Sequence, residues 1–343
     1  MNTQALIDTA QAMVAEGKGL LAMDESTGTI HKRFASVGIA QTQEARHAWR
    51  DLLASTPGLN ASISGAILFD ETLRQQRPDG TPLVSLLTAA GIIPGIKVDL
   101  GAKPLAGHPG ETVTEGLDGL RARLATYVDL GARFAKWRAV LNIGDGRPTR
   151  TGIEANAHAL ARYAALCQEA GLVPIVEPEV LMDGDHSLER CRVVTEEVLH
   201  RVFGQLHAQG VLFEGMVLKP NMVVPGLGCA TQDSDEAVAD ATLQSLLRAV
   251  PAAVAGITFL SGGQSDELAT ARLNAMNRRF RSVSAQPPWP LSFSFGRALQ
   301  HPALAAWAGN AANHDAAQQA LLHRAHCNHA AVLGEYKAAM ESR

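Results

Sequence analysis

Short apolar runs of strand length recur along the chain, and each breaks off at a polar cluster. The first, Gly19-Leu20-Leu21-Ala22-Met23, ends in Asp24-Glu25-Ser26. Residues 64–69 end in Asp70-Glu71, residues 92–96 in Lys97-Val98-Asp99, and residues 131–135 in Lys136-Trp137-Arg138. Residues 172–176 end in Glu177-Pro178-Glu179, and residues 215–218 in Lys219-Pro220. Residues 256–260 stop at Ser261-Gly262-Gly263, and residues 291–295 at Gly296-Arg297. The runs are mostly continuous in apolar residues, as strands covered on both faces are. Apolar residues at helical spacing fill 43–53, 115–130, 154–170, 188–209, 235–249 and 267–276. Alternating strand and helix implies a parallel sheet with right-handed crossovers. Eight such units, with no glycine-rich dinucleotide turn, predict an α/β fold: a closed (β/α)8 TIM barrel. Residues 1 to about 18 read as an extra N-terminal helix, and the chain from about His301 onward as an alanine-rich C-terminal helical segment. No low-complexity linker interrupts the pattern, so a single TIM-barrel catalytic domain is expected over residues 1–343.

Composition narrows the function classes. The chain has 343 residues, 46% hydrophobic and 19% charged, ample for a large core. A formal net charge of -4 and no basic tail offer no footprint for nucleic acid or an anionic membrane surface. No apolar stretch reaches membrane-spanning length. The first residues lack a basic region followed by an apolar one, so no secretory signal is expected. The cysteines (Cys167, Cys191, Cys229 and Cys327) form no CxxC pair, and a reduced, cytoplasmic setting follows.

Polar residues that end barrel strands face the active-site mouth. Here they are Asp24, Glu71, Lys97, Asp99, Lys136, Arg138, Glu177, Glu179, Lys219, Ser261 and Arg297. A lone lysine at a strand end ordinarily snorkels into solvent. Pro220 stops the ladder just past Lys219, and in so charged a mouth a second reading opens: a partly desolvated amine that acts as a nucleophile. Burial and a neighbouring cation, for which Lys136 is placed, both disfavour its ammonium form. Glu177 and Glu179, two apart on extended chain, share a face and supply carboxylates for proton transfer, with Asp24 as a third. The cationic ends suit an anionic substrate. Ser261-Gly262-Gly263 and Gly296-Arg297 follow the seventh and eighth strands, where barrel enzymes bind phosphate. Lys32 and Arg33 offer a second anion contact. There is no HExxH, P-loop or GxSxG. The run His323-Arg324-Ala325-His326-Cys327-Asn328-His329 lies in the terminal helix and reads as a solvated helical face, so no metal site is expected.

Several stretches together resemble the class I, Schiff-base fructose-bisphosphate aldolase family. They include Leu20-Leu21-Ala22-Met23-Asp24-Glu25-Ser26-Thr27-Gly28, Ile67-Leu68-Phe69-Asp70-Glu71-Thr72-Leu73 and Gly95-Ile96-Lys97-Val98-Asp99. Phe134-Ala135-Lys136-Trp137-Arg138, Pro174-Ile175-Val176-Glu177-Pro178-Glu179 and Leu218-Lys219-Pro220-Asn221-Met222 continue the match. So do Gly256-Ile257-Thr258-Phe259-Leu260-Ser261-Gly262-Gly263-Gln264-Ser265 and Phe295-Gly296-Arg297-Ala298-Leu299-Gln300.

The resemblance implies a metal-independent lyase without a cofactor, cleaving fructose 1,6-bisphosphate to dihydroxyacetone phosphate and glyceraldehyde 3-phosphate. It implies Lys219 as the Schiff-base lysine and Glu177 as the main proton shuttle, with Glu179 beside it. Asp24, Lys136 and Arg138 would place the substrate and assist carbon–carbon cleavage. Ser261, Gly262, Gly296 and Arg297 would hold one phosphate, and Ser26, Lys32, Arg33 and Lys97 would lie near the other. A homotetramer working in glycolysis is the family's habit. The chain departs from the family pattern at Thr29, usually serine, and at Leu100, often lysine. It also lacks the tyrosine-ended tail of animal members, its last tyrosine being Tyr336. A related Schiff-base sugar-phosphate aldolase and a non-catalytic sugar-phosphate-binding barrel are the rival readings.

Overall fold

A parallel strand that is apolar on both faces needs cover on both sides, and closing the sheet into a helix-ringed barrel provides it. The computed structural model describes residues 2–281 and 287–342, with 280 and 281 by backbone only. The strands are β1 (Gly19–Met23), β2 (Ile63–Leu68), β3 (Ile93–Lys97), β4 (Ala102–Pro104), β5 (Thr112–Thr114), β6 (Phe134–Leu141), β7 (Val173–Val180), β8 (Val217–Leu218), β9 (Gly256–Phe259) and β10 (Leu291–Phe295). Eight of them close a parallel barrel in the order β1-β10-β9-β8-β7-β6-β3-β2. The helices are α1 (Thr3–Met13), α2 (Thr27–Ser36), α3 (Gln43–Ala54), α4 (Asp70–Arg74), α5 (Leu83–Ala89), α6 (Leu120–Asp129), α7 (Arg150–Glu169), α8 (Leu188–Ala208), α9 (Asp235–Ala249), α10 (Asp266–Arg281), α11 (Arg297–Trp307) and α12 (His314–Val332). The expected (β/α)8 TIM barrel and its extra N-terminal helix are both present.

Side chains alternate between the two faces of each strand. Leu20, Ala22, Ile67, Phe134, Val173, Ile175 and Val217 fill the interior, and Leu6, Ala10, Met13 and Val14 of the α1 segment close its N-terminal end. The opposite parity, Leu21, Met23, Ala66 and Leu68 among others, packs beneath the helices. Phe134 occupies so much of the interior that its neighbour on β3 must be glycine, and its neighbour on β2 has room for little more. A Cβ on Gly95 would stand 2.1 Å from the ring, and one on Gly65 3.1 Å from it.

The structure corrects several expected boundaries. The fourth and fifth barrel strands run on past their charged residues, pairing from Phe134↔Val173 to Leu141↔Val180. Lys136, Arg138, Glu177 and Glu179 are therefore strand residues, not strand ends. Pro178 sits inside β7 without stopping it, whereas β8 does end just before Lys219-Pro220. The antiparallel hairpin β4–β5 has no counterpart among the eight expected strands. Its Thr114 and Thr112 hydroxyls donate to the carbonyls of Arg138 (2.8 Å) and Val140 (3.3 Å), covering the part of β6 that outruns β3. The helix expected over 115–130 begins only at Leu120, after Gly119 in a left-handed conformation. The C-terminal helical segment starts at Arg297 and divides in two. Ala308 (φ 46°) and Gly309 (φ 73°) turn left-handed after Trp307 and separate α11 from α12. Within α12, Arg324, Cys327 and Asn328 are buried, so the histidine run is not a solvated face.

The Gly95–Phe134 contact yields a stability prediction. Gly95→Ala forces a buried ring to move and should lower stability by about 1–3 kcal/mol, measured by urea or thermal unfolding. An unchanged midpoint would contradict the packing account.

Candidate active site

The inward positions of β6, β7 and the residue after β8 change from apolar to charged within one layer. Phe134, Ile175 and Val217 lie below; Lys136, Glu177 and Lys219 lie above. Charges this deep require partners, and neighbouring strands supply them. Glu177 bridges the two amines, with Oε1 3.1 Å from Lys219 Nζ and Oε2 3.2 Å from Lys136 Nζ. Asp24, just past β1, holds Lys136 from the other side at 2.7 Å. Asp24, Lys136, Glu177 and Lys219 are each exposed by less than a tenth of their surface. Glu177 Oε2, 3.2 Å from the Lys136 ammonium, accepts no hydrogen bond in good geometry from the described residues.

The second pair of inward positions repeats the arrangement nearer the mouth. Arg138 donates to Glu179, and its backbone N–H donates to Asp99 at 3.2 Å. Asp99 in turn takes the Lys97 ammonium at 2.7 Å. Four cations (Lys97, Lys136, Arg138, Lys219) thus meet four carboxylates (Asp24, Asp99, Glu177, Glu179). The inner site is close to neutral, and charge for an anionic ligand must come from its rim.

The titrating groups reflect this pairing. Burial disfavours the ionised form of Asp24, but Lys136 and Lys219 outweigh it and lower its pKa from 3.8 to about 2. Burial also opposes the Glu177 carboxylate, which Lys136, Lys219 and Arg138 hold below its usual range. Burial works against the Lys136 ammonium, yet Asp24 and Glu177 keep it well above the ordinary lysine value. Lys136 is thus a fixed cation rather than a base. The sequence placed Lys136 as a direct electrostatic neighbour of Lys219; in the structure Glu177 stands between them.

Lys219 is positioned by its backbone: its N–H donates to Val176 O at 2.8 Å. Asn221, unremarked in the sequence except inside a motif, locks the following segment. Its Oδ1 accepts from Val180 N at 3.0 Å, and its amide donates to Thr195 Oγ1 and Met222 O.

At the rim, Ser261 is buried after β9, and Gly262 adopts φ +57°, a left-handed conformation that favours glycine. Arg297, the first residue of α11, reaches the Gly262 carbonyl (3.3 Å) and that of Gln264. The loops after β9 and β10 therefore meet as expected. Gly296 packs against Ala22 O, 3.2 Å from where a Cβ would lie, with Arg33 Nη2 at 3.8 Å. Ser26 precedes α2, its hydroxyl 3.1 Å from that of Thr29. Lys32 is exposed on α2, and Leu100 is exposed beyond β3. Glu71 gives its carboxylate to Arg46 on α3 at 2.6 and 2.9 Å and so does not join the lysine–carboxylate set.

A buried support behind Asp24 has no signature in the local sequence. Glu25 pairs with Arg50 (2.6 Å) and Arg33 (2.5 Å) and accepts from Gln300 Nε2 (2.8 Å). Gln300 also donates to Ala22 O at 2.6 Å and accepts from Trp49 Nε1 at 3.1 Å. This ties the end of β1 to α3 and α11 and aims Arg33 toward the rim.

The family model described as fructose-bisphosphate aldolase class-I matches residues 5–343. A probable fructose-bisphosphate aldolase class 1 of Xanthomonas campestris pv. campestris is 59% identical over 338 residues, covering 98% of this chain and all of the relative. The cytosolic fructose-bisphosphate aldolase 6 of Arabidopsis thaliana is 53% identical over 332 residues, 97% of this chain and 91% of the relative. Among solved structures, the Plasmodium falciparum aldolase, crystallised with TRAP and a small-molecule inhibitor, superposes with a TM-score of 0.95 at 49% identity. That match covers 98% of this chain and 96% of the other.

Two outcomes follow from the site. Asp24 has a depressed pKa, so its contribution to stability is full above about pH 4 and lost as pH falls toward about 2. The stability gap between the wild type and Asp24→Asn, about 2 kcal/mol at neutral pH, should close over that window in pH-resolved urea unfolding. Arg50→Met leaves the buried Glu25 carboxylate with Arg33 and Gln300 alone and should cost about 1–3 kcal/mol; a thermal midpoint equal to the wild type would refute the support role.

Proposed function

The chain belongs to the class I fructose-bisphosphate aldolase family, and from that premise we propose which of its own side chains carry the reaction. The family's activity is the reversible, metal-independent retro-aldol cleavage of fructose 1,6-bisphosphate to dihydroxyacetone phosphate and glyceraldehyde 3-phosphate through a lysine Schiff base. The whole chain serves as one catalytic barrel. The observation that carries the assignment is the Glu177 carboxylate shared between Lys219 and Lys136 in a buried layer.

Lys219 attacks the C2 ketone. It must first lose a proton, and Glu177 at 3.1 Å is the acceptor in reach. The same carboxyl returns a proton to the departing carbinolamine oxygen, giving a protonated imine. The imine withdraws electrons as the C4 hydroxyl proton passes to a carboxylate of the Asp24–Lys136–Glu177 group, and C3–C4 breaks. The aldehyde leaves. The enamine on Lys219 is then protonated at C3, and water releases the second product. Lys136 stays charged throughout, holding Asp24 and Glu177 in place and stabilising negative charge that develops at O4.

The near-neutral interior directs the phosphates to the rim. Ser261, Gly262, Gly296 and the α11 N-terminus with Arg297 receive one, with Arg297 released from the Gly262 and Gln264 carbonyls. Ser26, Lys32, Arg33 and Lys97 lie toward the other, and Arg138 with Glu179 lines the space between. The cytosolic plant relatives support a cytoplasmic setting, and the family's habit supports a homotetramer. No helix among the described residues is long and apolar enough to cross a membrane.

The test is borohydride reduction in the presence of dihydroxyacetone phosphate, followed by peptide mapping. A stable adduct on Lys219 is expected, and Glu177→Gln should slow cleavage by roughly 10²–10⁴-fold. An unmodified Lys219, or activity abolished by a chelator, would refute the assignment.

A further inference from the structure

On the outer helical layer, outside the lysine–carboxylate set, three unlike donor atoms converge. His323 and Cys327 lie one turn apart on the same face of α12. The chain then leaves the helix, and a short turn at Ala338–Glu341 brings Glu341 back over that face. His323 Nε2 stands 3.7 Å from Cys327 Sγ and 3.6 Å from Glu341 Oε2, and the three donors lie within 4.8 Å of one another.

We propose that His323, Cys327 and Glu341 form a structural site for a borderline divalent transition-metal ion, zinc foremost, which ties the C-terminal segment to α12. Tetrahedral zinc with ordinary Zn–S, Zn–N and Zn–O bonds places its donors about 3.4–3.6 Å apart, and the two separations above are within about 0.3 Å of that range. The His323–Glu341 contact is long for a hydrogen bond between nitrogen and oxygen, and the His323–Cys327 contact is within hydrogen-bond reach of sulfur; both separations suit atoms that share a central ion. Mixed N, S and O donors favour zinc or cobalt over magnesium or calcium.

The surroundings hold the ligands as metal sites require. The other carboxylate oxygen of Glu341 accepts from Tyr336 OH at 2.9 Å and from Arg324. Arg324 is itself fixed by Asp266 O (2.9 Å), Thr270 Oγ1 (2.5 Å) and Ala298 O (3.4 Å). Glu341 Oε2 is thereby aimed at His323. Cys327 is fully buried and His323 only partly so, which leaves the fourth coordination position to solvent. Binding exchanges the thiol proton of Cys327 for the metal and releases that proton to buffer, with no electron transfer. The ion does no chemistry on the sugar phosphate.

The experiment titrates the demetallated full chain with Co2+ and follows the sulfur-to-cobalt charge-transfer band, with zinc as competitor. Stoichiometric uptake with that band is expected in the wild type. Cys327→Ser should abolish the band, and His323→Ala and Glu341→Gln should each weaken binding at least about tenfold. His326→Ala, at an exposed neighbour, should leave binding unchanged. Zinc should raise the thermal midpoint of the wild type but not of Cys327→Ser. The midpoint of that variant in chelator, equal to that of demetallated wild type, verifies its fold. Absence of the band in wild type, or a Cys327→Ser titration identical to wild type, overturns the proposal. Cleavage activity of the demetallated protein separates it from the aldolase reading: activity lost on chelation refutes that reading, whereas absent cobalt uptake refutes only this one.

Discussion

One carboxylate between two lysines organises the molecule. Glu177 sits on β7 with Lys136 beside it on β6 and Lys219 past the end of β8. A buried charge without a partner is far less favourable than the paired arrangement. The three strand positions therefore constrain one another: removing any one leaves the other two unbalanced in a dry layer. Strand register is tied to this demand. A slip of one residue between β6 and β7 would turn Glu177 outward and set Lys136 against aliphatic side chains. The group that makes catalysis feasible also fixes how the sheet aligns.

Around that constraint the barrel divides along its axis. Below the charged layer, Phe134, Ile67 and Leu20 with the α1 plug make a dry core, and glycines at 65 and 95 yield space to one aromatic ring. Above it, cations and carboxylates balance, and only the rim keeps cationic groups such as Lys32 and Arg297 at exposed positions. A doubly anionic ligand is in this way held at its two ends while its reactive carbons lie over neutral, tightly paired groups.

Much of this was legible in sequence because strand and helix periods differ and because polar residues follow apolar runs in barrels. The eight strands, the Lys219–Pro220 stop and the meeting of the Ser261 and Arg297 loops all came from adjacent residues. What stayed hidden depends on distant partners. Lys136 and Glu177 read as strand ends because a charge usually ends a buried run; across the sheet each neutralises the other and β6 and β7 continue. The Glu25–Arg50–Gln300 support joins residues up to 275 positions apart and has no local signature. Glu71 read as part of the mouth because nothing nearby in sequence marks Arg46 as its partner. The His323–His329 run read as surface because the returning turn with Glu341 lies beyond the helix that carries it.

The seam between β1 and β10 sets the order of assembly. Leu20 pairs with Ser294, and the Ser292 hydroxyl donates to Lys18 O across 274 positions. On a ribosome, β1 through β9 emerge with two open ladder edges, and nothing seals them until the last strand is released. Native contacts of such long range make folding slow relative to helical proteins of equal length. The growing chain exposes pairing edges during that delay, and it stays open to mispairing with other chains until β10 closes the seam.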